Sequence, residues 1–483
     1  MTSGTAPDVS EPARSVGDAA LIRSVLVALI VLGAALRLHR IGDESLWLDE
    51  AVTWQQTRGD IWSTIVANAR DTYPPLHNLL TLPFVALLGP TETALRLPSA
   101  IFAILAIPAT YWTGRVAHGP AVGLIAAAIM TLSPMAVLYG QEARMYALMS
   151  LGAVLFAGAV ITWLSQPSRR HSWSVLGAGF VLLYSHPYGF PAWGCMAIAA
   201  TAVLWQRSDR KILRRFIGLQ GLVLLVFLPW LVVTATVVGR LLDKGFWIPR
   251  PDLALAASYV QDLAGGPLGL ALLIAGCVCA LPVAGRILRP AQEESARLSE
   301  PGAVPVLLAL MVGPLLFGYL VSQVTTPILV TRYLLCSLPA AAVIAAIGYS
   351  RLGRNLSALP LQLALVGLLL VPALASTPLH RSHDDWRSLA KELAFLMHPD
   401  DCLVLVPYFN LPPLQYYGVT PPSCFYVDIA KAGAAIGPER RVLLIEVHSP
   451  DAIASAREAI PGKWSDERPF GDSMGLSVRE PSP

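Results

Sequence analysis

Two adjacent carboxylates, Asp49 and Glu50, follow Leu46-Trp47-Leu48 just after the first long apolar stretch of the chain. A carboxylate at an apolar boundary can act as a general base toward a hydroxyl, because poor solvation raises its affinity for a proton. Neighbours on a helix diverge by about 100°, so this pair cannot face one another across a substrate. One can be catalytic and the other supporting. The same two residues would equally suit the start of a surface helix, where the dipole favours negative charge.

Four further clusters carry chemistry-bearing side chains. Tyr139-Gly140-Gln141-Glu142-Ala143-Arg144-Met145-Tyr146 would, if helical, place Glu142 and Tyr146 on one face. Glu142 with Arg144 could also be a local ion pair at a helix end. In Tyr184-Ser185-His186-Pro187-Tyr188, the histidine either faces a site or sits in an aromatic interfacial belt. Arg332-Tyr333 opens an apolar run, and an arginine there opposes the helix dipole. Phosphate recognition would give it a reason to be present. Phe246-Trp247-Ile248-Pro249-Arg250-Pro251 suits an interfacial anchor, or stacking against a sugar ring or lipid headgroup.

The elements that must position these groups are membrane spans. The chain has 483 residues, 54% of them hydrophobic and 14% charged, with a mean hydropathy of +0.56. A soluble protein carries about 25% charged residues. Net charge is +3, with the basic excess in short loops, so nucleic-acid binding is not indicated. Residues 1–19 read as a tail without fixed structure. Ala20–Leu36 resembles a signal peptide, yet Arg37-Leu38-His39-Arg40 follows in place of a cleavage site, so it is expected to be an uncleaved first helix.

Further spans are expected at Ala94–Val116, Pro120–Leu138, Met145–Leu164, Trp173–Tyr184, Phe190–Trp205 and Phe216–Val233. The last four are Leu268–Ile287, Val304–Val321, Tyr333–Tyr349 and Leu359–Ala375. That makes about 11 within a membrane region spanning 20–376. With the N-terminus inside, Arg115, Arg169, Arg170, Arg207, Arg210, Lys211, Arg214, Arg215, Arg286, Arg289, Arg297, Arg351 and Arg354 all fall on the cytoplasmic side. Arg37 and Arg40 are the exceptions, as snorkelling anchors or anion ligands. The segment Leu76–Leu88 is too short to span. The first outer loop, 38–93, then holds surface helices around Ala51–Ala69 and Leu76–Leu88. All five clusters fall on the outer side of this topology.

An odd span count puts residues 377–483 outside as a small α/β domain. Leu389–Met397 has helical spacing, and Cys402–Val406 and Val442–Val447 read as strands. Cys402 and Cys424 lie in this polar region, where an extracytoplasmic setting allows a disulfide. Cys195, Cys277, Cys279 and Cys336 lie in apolar runs as small hydrophobes. There is no phosphate loop, dinucleotide-binding turn or zinc-protease motif. Nor is there a cytoplasmic domain for a nucleotide sugar, so an activated donor would come from within the membrane.

Leu46-Trp47-Leu48-Asp49-Glu50-Ala51, Asp71-Thr72-Tyr73-Pro74-Pro75-Leu76 and Ala94-Leu95-Arg96-Leu97-Pro98-Ser99-Ala100 resemble signatures of bacterial GT-C glycosyltransferases. Ser133-Pro134, the Tyr139–Tyr146 run and Arg332-Tyr333-Leu334-Leu335 continue the likeness in order. The similarity is to mannosyltransferase and aminoarabinose-transferase-like membrane proteins, and more distantly to protein O-mannosyltransferases. It implies a polytopic α-helical GT-C fold in the cell membrane and a polyprenyl-phosphate-sugar donor. It also implies extracytoplasmic transfer, usually with inversion, to a glycan, lipid or protein acceptor.

On that resemblance Asp49 is the base and Glu50 supports it. Arg332, Tyr333 and Arg144 hold the donor phosphate. Glu142, Tyr73, His77, His186 and Trp247 line the sugar or acceptor pocket. No metal or other cofactor is expected. Tyr73 stands where the family motif commonly has histidine, which weakens a proton-transfer role there while its hydroxyl can still hydrogen-bond. Mannose and an arabinose-like pentose are both candidate sugars. The rival reading is a transporter or flippase of lipid-linked sugars, which would more often show inverted repeats and mid-membrane charges. A non-catalytic scaffold would leave Asp49 dispensable.

Overall fold

The computed structural model describes residues 16–71, 73–242, 248–287, 302–353, 358–376, 384–448, 450–471 and 474–481. Helix α1 (Val16–Leu38) leads through a tight turn into three short helices, α2 (Leu48–Gln56), α3 (Ile61–Asp71) and α4 (Leu76–Leu88). Then come α5 (Glu92–His118), α6 (Pro120–Leu132), α7 (Pro134–Leu138), α8 (Tyr146–Ser165), α9 (Arg169–Ser185), α10 (Gly189–Gln206) and α11 (Arg210–Leu242). Helices α12 (Leu253–Leu263), α13 (Pro267–Ile287), α14 (Ala303–Val324), α15 (Leu338–Tyr349) and α16 (Leu359–Ser376) complete the apolar part.

Each of the eleven expected spans is substantially helical, yet among the described residues six helices are long and apolar enough to cross a bilayer. They are α1, α5, α8, α11, α14 and α16. The pair α12–α13, bent by 90°, makes a seventh if counted as one span. The expected single span Pro120–Leu138 is broken. Pro134 cannot continue α6, and Ser133 Oγ accepts the Ala136 N–H (3.3 Å), starting α7 afresh. The expected span from Tyr333 begins later: Thr331–Cys336 is a 3₁₀ turn, and α15 starts at Leu338 with Pro339 in its first turn. The surface helix expected around Ala51–Ala69 is two helices, α2 and α3, parted by Thr57–Asp60. Leu76–Leu88 forms as a single short helix.

Helix α8 is the centre of the bundle. Of its most apolar window 89% is buried by protein, against 11% for α1. It packs on α5, α9 and α10, and small residues permit the close approaches. A Cβ on Gly114 of α5 would lie 2.9 Å from the Gly123 Cα of α6, closer than side chains tolerate. Arg37, expected as an anchor or anion ligand, is neither. It is buried, and donates to the carbonyls of Gly33, Met130 (2.8 Å) and Thr131, tying α1 to the end of α6. Arg40 pairs with Asp43.

The C-terminal unit runs α17 (Trp386–Leu396), β1 (Cys402–Val406), α18 (Leu411–Tyr416), β2 (Cys424–Tyr426), α19 (Ile429–Ala435), β3 (Val442–Val447), α20 (Pro450–Ala459), β4 (Arg468–Pro469) and β5 (Met474–Arg479). Its sheet has the order β2-β1-β3-β5-β4. Strand β1 is parallel to β2 and β3, and β5 is antiparallel to β3 and β4. Both predicted strands are present, buried on both faces. Cys402 and Cys424 lie opposite each other on β1 and β2 and form a disulfide.

Candidate active site

The start of α2 sorts the two carboxylates. Leu46 is buried against Leu95 of α5 and Ala143, which fixes the rotation of the helix. One residue apart on that helix, Glu50 points inward (1% exposed) and the Asp49 side chain stays 25% exposed. Glu50 takes Arg96 in a two-pronged pair, Nε to Oε1 at 2.7 Å and Nη2 to Oε2 at 2.6 Å. Its Oε1 also accepts the Ala143 N–H at 2.9 Å. Glu50 therefore joins α2 to α5 and to the Tyr139–Met145 turn, and supports Asp49 through the backbone.

That turn is not helical, so Glu142 and Tyr146 are not stacked one turn apart. The Arg144 N–H instead donates to the Glu142 carbonyl (2.7 Å), and α8 begins at Tyr146. The fold aims the Arg144 side chain at α2. Its Nη1 donates to the Asp49 carbonyl (3.2 Å) and approaches Thr53 Oγ1 (3.4 Å), and the guanidinium lies 5.2 Å over the Tyr73 ring. Glu142 is buried in the same turn.

From the opposite side, the 3₁₀ turn Thr331–Cys336 presents Arg332 with Nη2 3.8 Å from Asp49 Oδ2. Trp47, Tyr146 and Tyr333 surround its guanidinium at 5.8, 6.0 and 5.9 Å. Below lies an aromatic floor. The hydroxyls of Tyr73 and Tyr333 are 3.2 Å apart, and the His186 ring packs 4.7 Å from Tyr333, 5.5 Å from Tyr73 and 5.7 Å from Tyr146.

His186 Nδ1 accepts the Tyr188 N–H (3.0 Å), which places the ring proton on Nε2. Nε2 is buried and has no hydrogen-bond partner among the described residues. Burial, then the nearby Arg144 and Arg332, push His186 well below the usual histidine range, so it is a neutral donor.

His77 does not line this pocket. It is fully buried behind it, with Nδ1 3.1 Å from Asn78 Oδ1 and Nε2 3.0 Å from Ser99 Oγ. Asn78 gives its amide hydrogens to Gln56 Oε1 (2.7 Å) and Asn68 Oδ1 (3.1 Å), so its oxygen faces the imidazole and Nδ1 carries the proton. Gln56 in turn donates to Asp71 Oδ2 (2.9 Å). Burial raises the Asp71 carboxyl, with Arg144 and Gln56 pulling the other way, and lowers His77 to about 4. Trp247 lies outside the described residues.

The structure thus gathers Asp49, Arg144, Arg332, Tyr333, Tyr73 and His186. It sets Glu50 and His77 one layer back. Sequence reasoning gave no role to Arg96, Gln56 or Asp71. A charged Arg96 inside an apolar span was the usable signal, since such a charge needs a buried partner.

The chain was compared with known proteins. No family model matches it, and no curated protein sequence does. Solved structures do. ArnT from Cupriavidus metallidurans in the apo state is 13% identical with a TM-score of 0.64, the match covering 96% of this chain and 98% of that one. A second ArnT structure, with undecaprenyl phosphate bound, gives 12% and 0.61. The archaeal oligosaccharyltransferase AglB from Archaeoglobus fulgidus, with an inhibitory peptide and a dolichol-phosphate, is 13% identical with a TM-score of 0.56, covering 96% of this chain and 74% of AglB. The arabinofuranosyltransferase AftD from Mycobacteria, of which 40% is covered against 96% of this chain, gives 14% and 0.51. The chain therefore shares the fold of ArnT, AglB and AftD, the GT-C fold expected above.

Proposed function

We propose that this chain is an integral-membrane glycosyltransferase of the cell membrane. It moves a sugar, mannose or an arabinose-like pentose, from a polyprenyl-phosphate donor to a cell-envelope glycan, lipid or protein on the extracytoplasmic face. The observation that carries this is Asp49 facing Arg332 at 3.8 Å, with Arg144 on the backbone of the same residue. One partly exposed carboxylate can serve as the single base of an inverting transfer, and the arginine beside it can meet a phosphate. The undecaprenyl phosphate bound by ArnT and the dolichol-phosphate bound by AglB fit this donor class.

The proposed reaction uses this geometry as follows. Asp49 accepts the proton of the acceptor hydroxyl as its oxygen attacks the anomeric carbon. The bond from that carbon to the phosphate oxygen breaks on the opposite side, and the electron pair leaves with the polyprenyl phosphate. Arg332 and Arg144 take up the developing negative charge, the task a divalent cation performs elsewhere. A donor phosphate that draws Arg332 to itself also leaves Asp49 Oδ2 open to the acceptor. Tyr333 joins the two arginines at the phosphate; Tyr73, Glu142 and the Nε2–H of His186 are the polar groups for the sugar, and Trp247 is a candidate for its rim. The test is a panel of polyprenyl-phosphate sugars given to purified protein with envelope extract. Release of polyprenyl phosphate supports the reading; none from any donor overturns it.

A further inference from the structure

The turn joining α1 to α2 is gripped from two sides by arginines of different parts of the fold. Arg96 of α5 donates to the carbonyls of Ile41 (3.1 Å), Glu44 (3.0 Å) and Ser45 (3.0 Å). Arg387, in the first turn of α17 in the C-terminal unit, donates to those of Gly42 (3.4 Å), Asp43 (2.8 Å) and Glu44 (3.3 Å). Between them every carbonyl from Ile41 to Ser45 is held. Arg387 also donates to Glu92 Oε1 (2.8 Å). The Tyr417 hydroxyl donates to the same oxygen (3.0 Å) and accepts the Leu46 N–H (2.8 Å). The backbone is thus pinned without a gap up to the entrance of α2.

Helix α18 continues the contact along α2. Gln55 Nε2 donates to Gln415 Oε1 (2.9 Å), and Trp54 meets the Tyr416 ring edge-on at 5.3 Å. A turn has no ladder of its own, so its carbonyls must find donors elsewhere. Here half of those donors come from outside the membrane region.

We propose that Arg387 is a positioning residue for Asp49: through Arg387 and Tyr417 the C-terminal unit sets the geometry of the carboxylate that the membrane region carries. This rests on the reading of Asp49 as the base. The unit is then part of the catalytic apparatus, beyond any role in acceptor recognition. Asp49 stands three residues after Leu46, and a shift of about 1 Å in a reacting group can cost on the order of 100-fold in rate. Arg332 and Arg144 come from other segments, the Thr331–Cys336 turn and the Tyr139–Met145 turn, so donor affinity is largely spared.

The test uses the full chain in lipid nanodiscs, with wild type, Arg387→Lys, Arg387→Ala and Tyr417→Phe. Arg468→Ala, which removes the surface pair with Glu392, is the control. Arg387→Ala is expected to lower kcat about 10- to 100-fold while KM for the donor stays within about threefold, with partial recovery in Arg387→Lys. Amide exchange over 41–50 should quicken while the β1–β3–β5 core stays protected. Unchanged kcat with unchanged exchange in Arg387→Ala and Tyr417→Phe overturns the proposal, as does faster exchange with unchanged kcat. If Arg387→Ala unfolds the whole unit, Tyr417→Phe, which loses one hydroxyl, decides by the same two readouts. A wild type that turns over no polyprenyl-phosphate sugar defeats the proposed reaction, and exchange over 41–50 still decides whether the clamp exists.

Discussion

Changing Glu50 to Ala should damage this protein's stability, because it strands a cation in the interior. Arg96 is 5% exposed, and both its Nε and Nη2 lose a carboxylate at 2.6–2.7 Å. Removing one partner of a buried pair costs about 3–5 kcal/mol. The Ala143 N–H loses its acceptor as well, worth about 1–3 kcal/mol. The Ile41, Glu44 and Ser45 carbonyls still solvate part of Arg96, so the net loss should be about 4 kcal/mol. Asp49 is a quarter exposed and its pair with Arg332 is long, so Asp49→Asn should change stability by about 1 kcal/mol at most. The assay is denaturant unfolding in detergent for Glu50→Ala, Arg96→Met, the double variant and Asp49→Asn. A coupling energy of about 2 kcal/mol or more between Glu50 and Arg96 is expected. Coupling near zero, or an Asp49→Asn variant as unstable as Glu50→Ala, would refute the division of labour between the two carboxylates.

Three more predictions follow the same geometry. His77 stays neutral down to about 4 when folded, against an ordinary value of 6.5, so the unfolded chain binds the extra proton between those limits. Its contribution is complete above pH 6.5 and is lost as pH falls toward 4. The shift of about 2.5 units is worth about 3 kcal/mol, and His77→Gln should flatten this slope in unfolding at pH 4.5 and 7.5. Arg332→Ala should raise KM for the donor about 10- to 100-fold, with Arg332→Lys recovering only part because an ammonium cannot fork onto phosphate; an unchanged KM counts against a phosphate role. Gly114→Ala should force α5 from α6 and cost about 1–3 kcal/mol in thermal unfolding, and a neutral effect would mean the helices can part freely.

The apolar segments and the two buried strands were legible because length and continuous hydrophobicity are local properties. The breaks were less so. Ser133-Pro134 carries a helix-stop signal inside an apolar run, and the hydropathy of the run hid it. Arg332 was singled out because an arginine against a helix dipole is costly without a ligand, and the structure sets it 3.8 Å from Asp49. Its supposed helix start was in fact a 3₁₀ turn. That Asp49 and Glu50 diverge, one to catalyse and one to support, followed from helix geometry alone. Which of them points inward depends on Leu46, Leu95 and Ala143 meeting, and those contacts join residues far apart in sequence. The same holds for His77, which the resemblance put in the pocket while its hydrogen bonds to Asn78 and Ser99 turn it away. Arg387 lay beyond reach, since nothing near it in sequence shows that it lands on residues 42–44.

The central claim is that Asp49 removes the acceptor proton while arginines hold the leaving phosphate. The most direct measurement is single-turnover release of polyprenyl phosphate from a polyprenyl-phosphate-linked sugar by wild type and Asp49→Asn, with donor binding measured on the same preparations. Loss of a positioned base predicts release slowed by about 10²–10⁴-fold with donor affinity retained. Release by Asp49→Asn within about tenfold of wild type would contradict the account, since that falls below what a general base contributes.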